Sequence, residues 1–232
     1  MKRIALFFLT LAFAAAAVSC NDTDVDQAHH TSFVTVHQTL SVEGYYFETD
    51  NGKTIFPGDT SRIGAYRATE GQRAIIAFNL LDNMPGYDYN AAIYGIGHIY
   101  SSAARIVSTE EALSAVADDP MQYLDGRLLG QWVTMTVRYA AFDYSKHKFY
   151  LIVNDTVVDR EAEEGYLDVE LRHDDGDDPL GGQLYDTYVS FDMEPIAGRL
   201  DGMKGIRVRY YDGTVARYAK IDRMVLDEGA AL

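Results

Sequence analysis

Cys20 is the only cysteine in this 232-residue sequence, and its neighbours give it a chemistry. It closes the segment Ala17-Val18-Ser19-Cys20, behind an uncharged run from Ile4 to Val18 and a basic start, Met1-Lys2-Arg3. A basic opening, a short apolar stretch and small residues before a cut site make an export leader; the run is shorter than the roughly 20 residues a bilayer span requires. The four residues resemble the lipobox of bacterial lipoproteins, with Ala17 where Leu is usual. Cleavage before Cys20 and transfer of diacylglycerol to its thiol are the expected events, which makes residues 1–19 a leader and residues 20–30 a lipidated tether. Acyl chains contribute about 0.8 kcal/mol per buried CH₂, enough for several of them to anchor a protein without a transmembrane helix. The polar tether carries Asp22, Asp24 and Asp26 after Asn21. That cluster resembles the export signal of surface lipoproteins in some Gram-negative anaerobes, and the other reading is a plain soluble spacer; the expected location is the outer membrane, on the first reading facing the cell exterior.

Acidic side chains are the next candidates. Between Asp159 and Asp178 stand ten acidic and two basic residues, ending in Asp174-Asp175-Gly176-Asp177-Asp178. One reading is a docking surface for a cationic partner, and the other is a solvated strand and loop. Asp174, Asp175, Asp177 and Asp178 could also make a weak calcium site, although their order departs from the D-x-[DN]-x-[DN]-G loop. Tyr87 and Tyr89 flank Asp88 after Pro85-Gly86, where a loop would offer two aromatic rings to a sugar or a protein. His173 falls on the apolar face of a strand, the usual place of a hydrogen-bonded core histidine, and His29-His30 sits in the tether. The sequence lacks G-x-S-x-G, H-E-x-x-H and C-x-x-C, so no catalytic residue, metal ligand set or cofactor is assigned.

The elements that would position these groups are mostly strands. Val133, Met135, Val137 and Tyr139 alternate with Thr134, Thr136 and Arg138; Leu167, Val169 and Leu171 alternate with Asp168, Glu170 and Arg172; Val189, Phe191 and Met193 alternate with Ser190 and Asp192. Period two of this kind predicts antiparallel sheets with one face on a core and one toward solvent. Upstream, Phe33–Val36, Tyr45–Thr49, Thr54–Phe56, Arg73–Leu80 and Ala91–Tyr100 make five short strands, the number a small barrel needs. Asn51-Gly52 and Asp212-Gly213 predict hairpin turns. Ser108-Thr109-Glu110-Glu111 has the spacing of a capping box and predicts one short helix that Asp118-Asp119-Pro120 stops. The expected organisation is an N-terminal domain over 31–106, a helical linker over 107–120, a C-terminal β domain over 121–227 and a tail over 228–232. Loss of Lys2 and Arg3 with the leader takes the formal net charge from −15 to −17. That balance disfavours nucleic acid and anionic lipid headgroups as ligands.

Tyr45-Tyr46-Phe47-Glu48-Thr49-Asp50-Asn51-Gly52-Lys53-Thr54-Ile55-Phe56-Pro57, followed by Gly71 to Phe78, is similar to the N-terminal domain of NigD-like lipoproteins. His147 to Leu151, Glu170 to Asp174 and Val189 to Met193 resemble that family's C-terminal domain. The resemblance implies an all-β protein in which a small OB-like barrel precedes an antiparallel β-sandwich, with one short linking helix. It also implies a role like that of bacteriocin-immunity lipoproteins, whose mechanism is not established. The expectation is therefore a non-catalytic, lipid-anchored binding or adaptor module that meets a protein at the cell surface; a glycan held by Tyr87 and Tyr89 is the alternative, and a hydrolase using a pair of the many carboxylates is a distant third.

Overall fold

His30 opens the first strand of a barrel, its ring stacked on Phe78 at 5.4 Å between centroids, so it belongs to the folded domain and not to the tether. A computed structural model describes residues 28, 30–39, 44–157, 163–179 and 181–225; Cys20, His29, the leader, the acidic tether and the C-terminal tail lie outside the described residues. Strands β1 (His30–Gln38), β2 (Tyr45–Thr49), β3 (Thr54–Asp59), β4 (Arg73–Leu80) and β5 (Tyr89–His98) close in the order β1-β2-β3-β5-β4. Only β3 and β5 run parallel within this barrel, which is the connectivity of an OB fold. Alternation places Val34, Val36, Phe47, Ile55, Ile76, Phe78 and Ile93 inside, all buried. Closure pairs every strand on both sides and leaves no open edge. At the β2–β3 turn Gly52 takes φ +76°, the left-handed conformation that its Asn-Gly pair predicts.

The chain then enters a sandwich earlier than the sequence suggests. Strands β6 (Tyr100–Ala103) and β7 (Arg105–Val107) pair in parallel with β12 (Gln183–Asp192) and β10 (Lys148–Asn154), so the expected boundary at 106 falls within the second unit. Ser101-Ser102-Ala103 carries almost no hydrophobic alternation, which is why these two edge strands are not legible locally. The remaining strands are β8 (Gln122–Leu129), β9 (Trp132–Ala141), β11 (Tyr166–Asp174), β13 (Gly205–Tyr211) and β14 (Ala216–Asp222). They form a five-stranded sheet, β14-β13-β11-β10-β7, and a four-stranded sheet, β6-β12-β9-β8. Pairing is antiparallel except where β6, β7 and β13 join. Val133, Met135, Val137, Val169, Leu171, Val189 and Phe191 meet between the sheets with no exposed surface, as their alternation requires.

Helix α1 (Glu110–Ser114) lies between β7 and β8, two strands of the same sandwich, and so does not link the domains. Its cap is Thr109, whose Oγ1 accepts from Ala112 N–H at 3.2 Å, one residue later than the Ser108 the capping-box spacing selects. Arg172 docks the segment by donating from Nη1 to Val116 O at 3.0 Å, and its Nη2 donates to Glu170 Oε2 at 2.8 Å. Glu170, read from alternation as a solvent-facing acid, is thereby buried.

The barrel packs on the outer face of the four-stranded sheet. Phe33 meets Tyr188 edge-on at 5.1 Å, and the Arg127 guanidinium stands over Phe33 at 5.3 Å. Thr134 and Ser190, which alternation turns toward solvent, are buried beneath the barrel and hydrogen-bonded to each other at 2.9 Å. Burying such hydroxyls is tolerable because each finds a partner.

Candidate functional site

Arg73, at the first position of β4, joins the two domains. It has no exposed surface, and its Nη2 lies 2.7 Å from Asp50 Oδ1 of the same barrel. Nη1 donates to Thr35 Oγ1 at 3.1 Å, Nε donates to Ser190 Oγ at 3.3 Å, and the guanidinium sits 4.3 Å from the Trp132 ring centroid. Ser190 and Trp132 belong to the sandwich, so one cation serves both units. Burial pushes the Asp50 carboxyl above its ordinary value, against the attraction of Arg73 and Arg127. The β8–β9 turn comes close enough to the barrel that a Cβ on Gly130 would stand 2.2 Å from the Asp50 carbonyl oxygen, and Gly130 itself has φ +59°. Glycine is required there on both counts. Between that turn and the barrel lies a cleft of about 380 Å³, lined among others by Thr35, Glu48, Asp50, Asn51, Gln131 and Trp132.

The same outward barrel face continues from this cleft into a row of rings. Strand register sets His37 opposite Tyr46, and Phe47 opposite Ile55, which brings Phe56 alongside Tyr46 on the outer surface. The His37 and Tyr46 rings stack at 5.1 Å, and Tyr87 lies 5.8 Å from Tyr46 and 5.1 Å from Phe56. Asp88 ties the Tyr87 loop down: it accepts from Thr54 N–H at 2.9 Å and from Lys53 Nζ at 3.1 Å, and these donors hold its carboxyl below the usual carboxylate range. On the other flank Glu70 accepts from Gln38 N–H at 2.6 Å and lies 2.9 Å from His37 Nδ1.

The two tyrosines singled out in the sequence therefore part company. Tyr87 joins the outer row, but Tyr89 is the first residue of β5, where alternation with Ala91 and Ile93 turns it onto the barrel core. Tyr46, Phe56 and Trp132 are not distinguishable in the sequence from ordinary strand aromatics; only the register collects them.

The acidic loop also divides. Asp119, Asp174 and Asp175 bring carboxylate oxygens within 4.8 Å of one another. These oxygens accept from backbone N–H groups: Asp175 N–H donates to Asp119 Oδ2 across the fold, and within the turn Gly176 N–H donates to Asp174 Oδ1 and Asp177 N–H to Asp175 Oδ1. Asp177 is exposed, with φ +58°. Asp178 turns inward instead and accepts from Phe142 N–H at 2.6 Å and Asp143 N–H at 3.1 Å. Burial alone would raise its carboxyl; the Asp143 and Phe142 N–H groups, with His147, hold it low. His173 is buried, as its place on the strand predicts. Its Nδ1 donates to the Pro120 carbonyl at 3.2 Å, so its Nε2 accepts from His147 Nδ1 at 2.8 Å, and His147 Nε2 lies 3.4 Å from Asp178 Oδ2. Both rings are thus spent on structural hydrogen bonds. Upstream in the acidic segment, Asp168 pairs with Arg207 and Glu170 with Arg172, so part of the local charge is neutralised on the sheet.

A closed five-stranded barrel seated on a two-sheet sandwich defines a two-domain β architecture. Residues 33–99 match the NigD-like N-terminal OB domain, and residues 105–220 match the NigD-like C-terminal beta sandwich domain. The chain belongs to the NigD-like family. Among solved structures it is similar to a protein of unknown function from Bacteroides vulgatus, at 18% identity and TM-score 0.68 over 87% of this chain and 93% of that one. It is similar to a NigD-like immunity protein from Bacteroides caccae, at 18% identity and TM-score 0.58 over 82% and 91%. A candidate lipoprotein from Bacteroides fragilis aligns at 13% identity and TM-score 0.64 over 85% and 99%. At such identities the likeness is one of fold. No curated protein matches the chain.

Proposed function

We propose that this is a lipid-anchored lipoprotein of the outer membrane, facing the cell exterior, whose barrel and sandwich act together as a non-catalytic binding or adaptor module of the immunity-protein type. The observation that carries the binding reading is the cleft between the domains, with Trp132 on one wall, Glu48 and Asp50 on the other, and an internal cation holding the walls in register. Preformed concave sites at domain junctions are where ligands are usually held. Anchoring rests on the Ala17-to-Cys20 lipobox and on the likeness to the candidate lipoprotein of Bacteroides fragilis, and no helix among the described residues is long and apolar enough to cross a membrane.

The test is a gene deletion complemented by three alleles: wild type, Cys20→Ala and Trp132→Ala. Exposure to the toxins of close competitors should kill the deletion strain more readily than the wild type, with neither variant restoring full protection. Unchanged survival across those toxins sinks the immunity role. External protease on intact cells should cleave the wild-type protein; full protection would move it to the periplasmic side.

A further inference from the structure

We propose that the outward face of β1, β2 and β3, continuous with the junction cleft, binds a neutral oligosaccharide along the Tyr46, Phe56 and Tyr87 rings, with its far end against Trp132. This rests on the reading that the junction cleft is the ligand-binding surface, and it names the class of ligand.

Three features select that class. The first is the rings. Tyr46, Phe56 and Tyr87 are half-buried, with the Tyr87 ring 5.8 Å from Tyr46 and 5.1 Å from Phe56, held by strand register on one side and by the Asp88 clamp on the other. A rigid, partly exposed aromatic surface suits the C–H face of a sugar ring, and the outer surface of the second and third strands with the loop between the fourth and fifth is where OB barrels hold oligomeric ligands.

The second feature is charge. Glu48, Glu70 and Asp88 border the row, and they repel phosphate and other anions, which excludes nucleic acid and anionic lipid headgroups. All three are already engaged: Glu70 with His37 and the Gln38 N–H, Asp88 with Lys53 and Thr54, and Glu48 with His37, whose Nε2 lies 3.7 Å from its Oε2. They retain little attraction for a cationic peptide. The Glu48 contact is the longest of these and 44% of its side chain is exposed, so Glu48 and the exposed Gln131 amide offer an acceptor and a donor to hydroxyl groups.

The third is length. Tyr46 and Asp50 share the outward face of β2 and its turn, four residues apart, which at about 3.3 Å per residue is roughly 13 Å. A ligand that touches both the rings and the cleft is longer than one sugar.

The experiment uses the detergent-solubilised mature lipoprotein on an array of neutral and acidic glycans, followed by calorimetry on the hits. Wild type should bind neutral oligosaccharides and not monosaccharides. Tyr87→Ala and Tyr46→Ala should each weaken binding about tenfold, the loss of roughly one stacking contact. Tyr144→Ala, at an exposed ring in the β9–β10 connection, should leave it unchanged. Thermal midpoints and Trp132 emission check that the variants are folded. A blank array overturns the proposal, as does affinity that survives both substitutions or a preference for acidic glycans. A parallel pull-down with wild type and Trp132→Ala separates the two readings. A protein partner lost on Trp132→Ala, with a blank array, ends the oligosaccharide class and keeps the binding module; no partner and no glycan end both.

Discussion

His173 shows how a single side chain acquires a property that its position in the sequence only half announces. Alternation from Leu171 places it in the core, but its partners, Pro120 and His147, come from distant strands and connections. Burial, with His147 close by, pushes its pKa below the ordinary histidine value of about 6.5. The unfolded chain therefore binds more protons than the fold over the interval beneath 6.5, and stability falls as the pH drops through it. Urea midpoints should decrease between about pH 7.5 and about pH 5.5, and His173→Gln should flatten part of that slope. A midpoint indifferent to pH over this range would mean that the ring is not held neutral. Asp50 acts in the opposite sense: burial raises its pKa, so its protonation at lower pH favours the fold and its ionisation above the ordinary carboxylate range costs stability.

At the scale of elements, the short helix separates local signal from actual geometry. Ser108-Thr109-Glu110-Glu111 holds two candidate caps one residue apart, and spacing alone selects Ser108. The structure selects Thr109, whose extended backbone (φ −133°, ψ 145°) lets Oγ1 reach the Ala112 N–H. Thr109→Ala should cost about 1 kcal/mol and Ser108→Ala only a few tenths. Chemical denaturation of the two variants decides, and a larger loss for Ser108→Ala than for Thr109→Ala would return the cap to Ser108. The helix is held from outside as well, because Arg172 closes its far end and brings Glu170 with it. A strand read as half wet is therefore covered on both faces near this point.

For the molecule as a whole, the decisive feature is that the barrel sits on a sheet face made of Thr134, Ser190 and Trp132, with Arg73 as the shared cation. Replacing Arg73 by Met should leave Asp50 buried without its main counter-charge and cost roughly 3–5 kcal/mol, with Asp50→Asn in the same chain recovering much of the loss. Trp132, the only tryptophan, stands at the junction and reports on it directly. Wild type should unfold in one transition by Trp132 emission and by circular dichroism. In Arg73→Met the emission change should come first, as the domains part before the sheets melt. Coincident transitions in the variant would show that Arg73 does not couple the two units.

The acidic balance and the strand-rich, two-domain plan are written in the sequence because each depends on a local pattern: a residue count or period two. The core faces of β9, β11 and β12 are equally legible, since a strand half-buried on one side must alternate. What only the tertiary structure decided is which polar residues are hidden and which aromatics stand together. Thr134, Ser190, Glu170 and Arg73 look solvent-facing until a second element covers them. Tyr46, Phe56, Tyr87 and Trp132 are spread over 87 residues of chain and meet on one surface only through strand register, a pinned loop and the docking of one domain on another. Local pattern carries the sign of burial relative to an element's own core; it carries nothing about the neighbours that arrive later, and in this protein those neighbours build the candidate site.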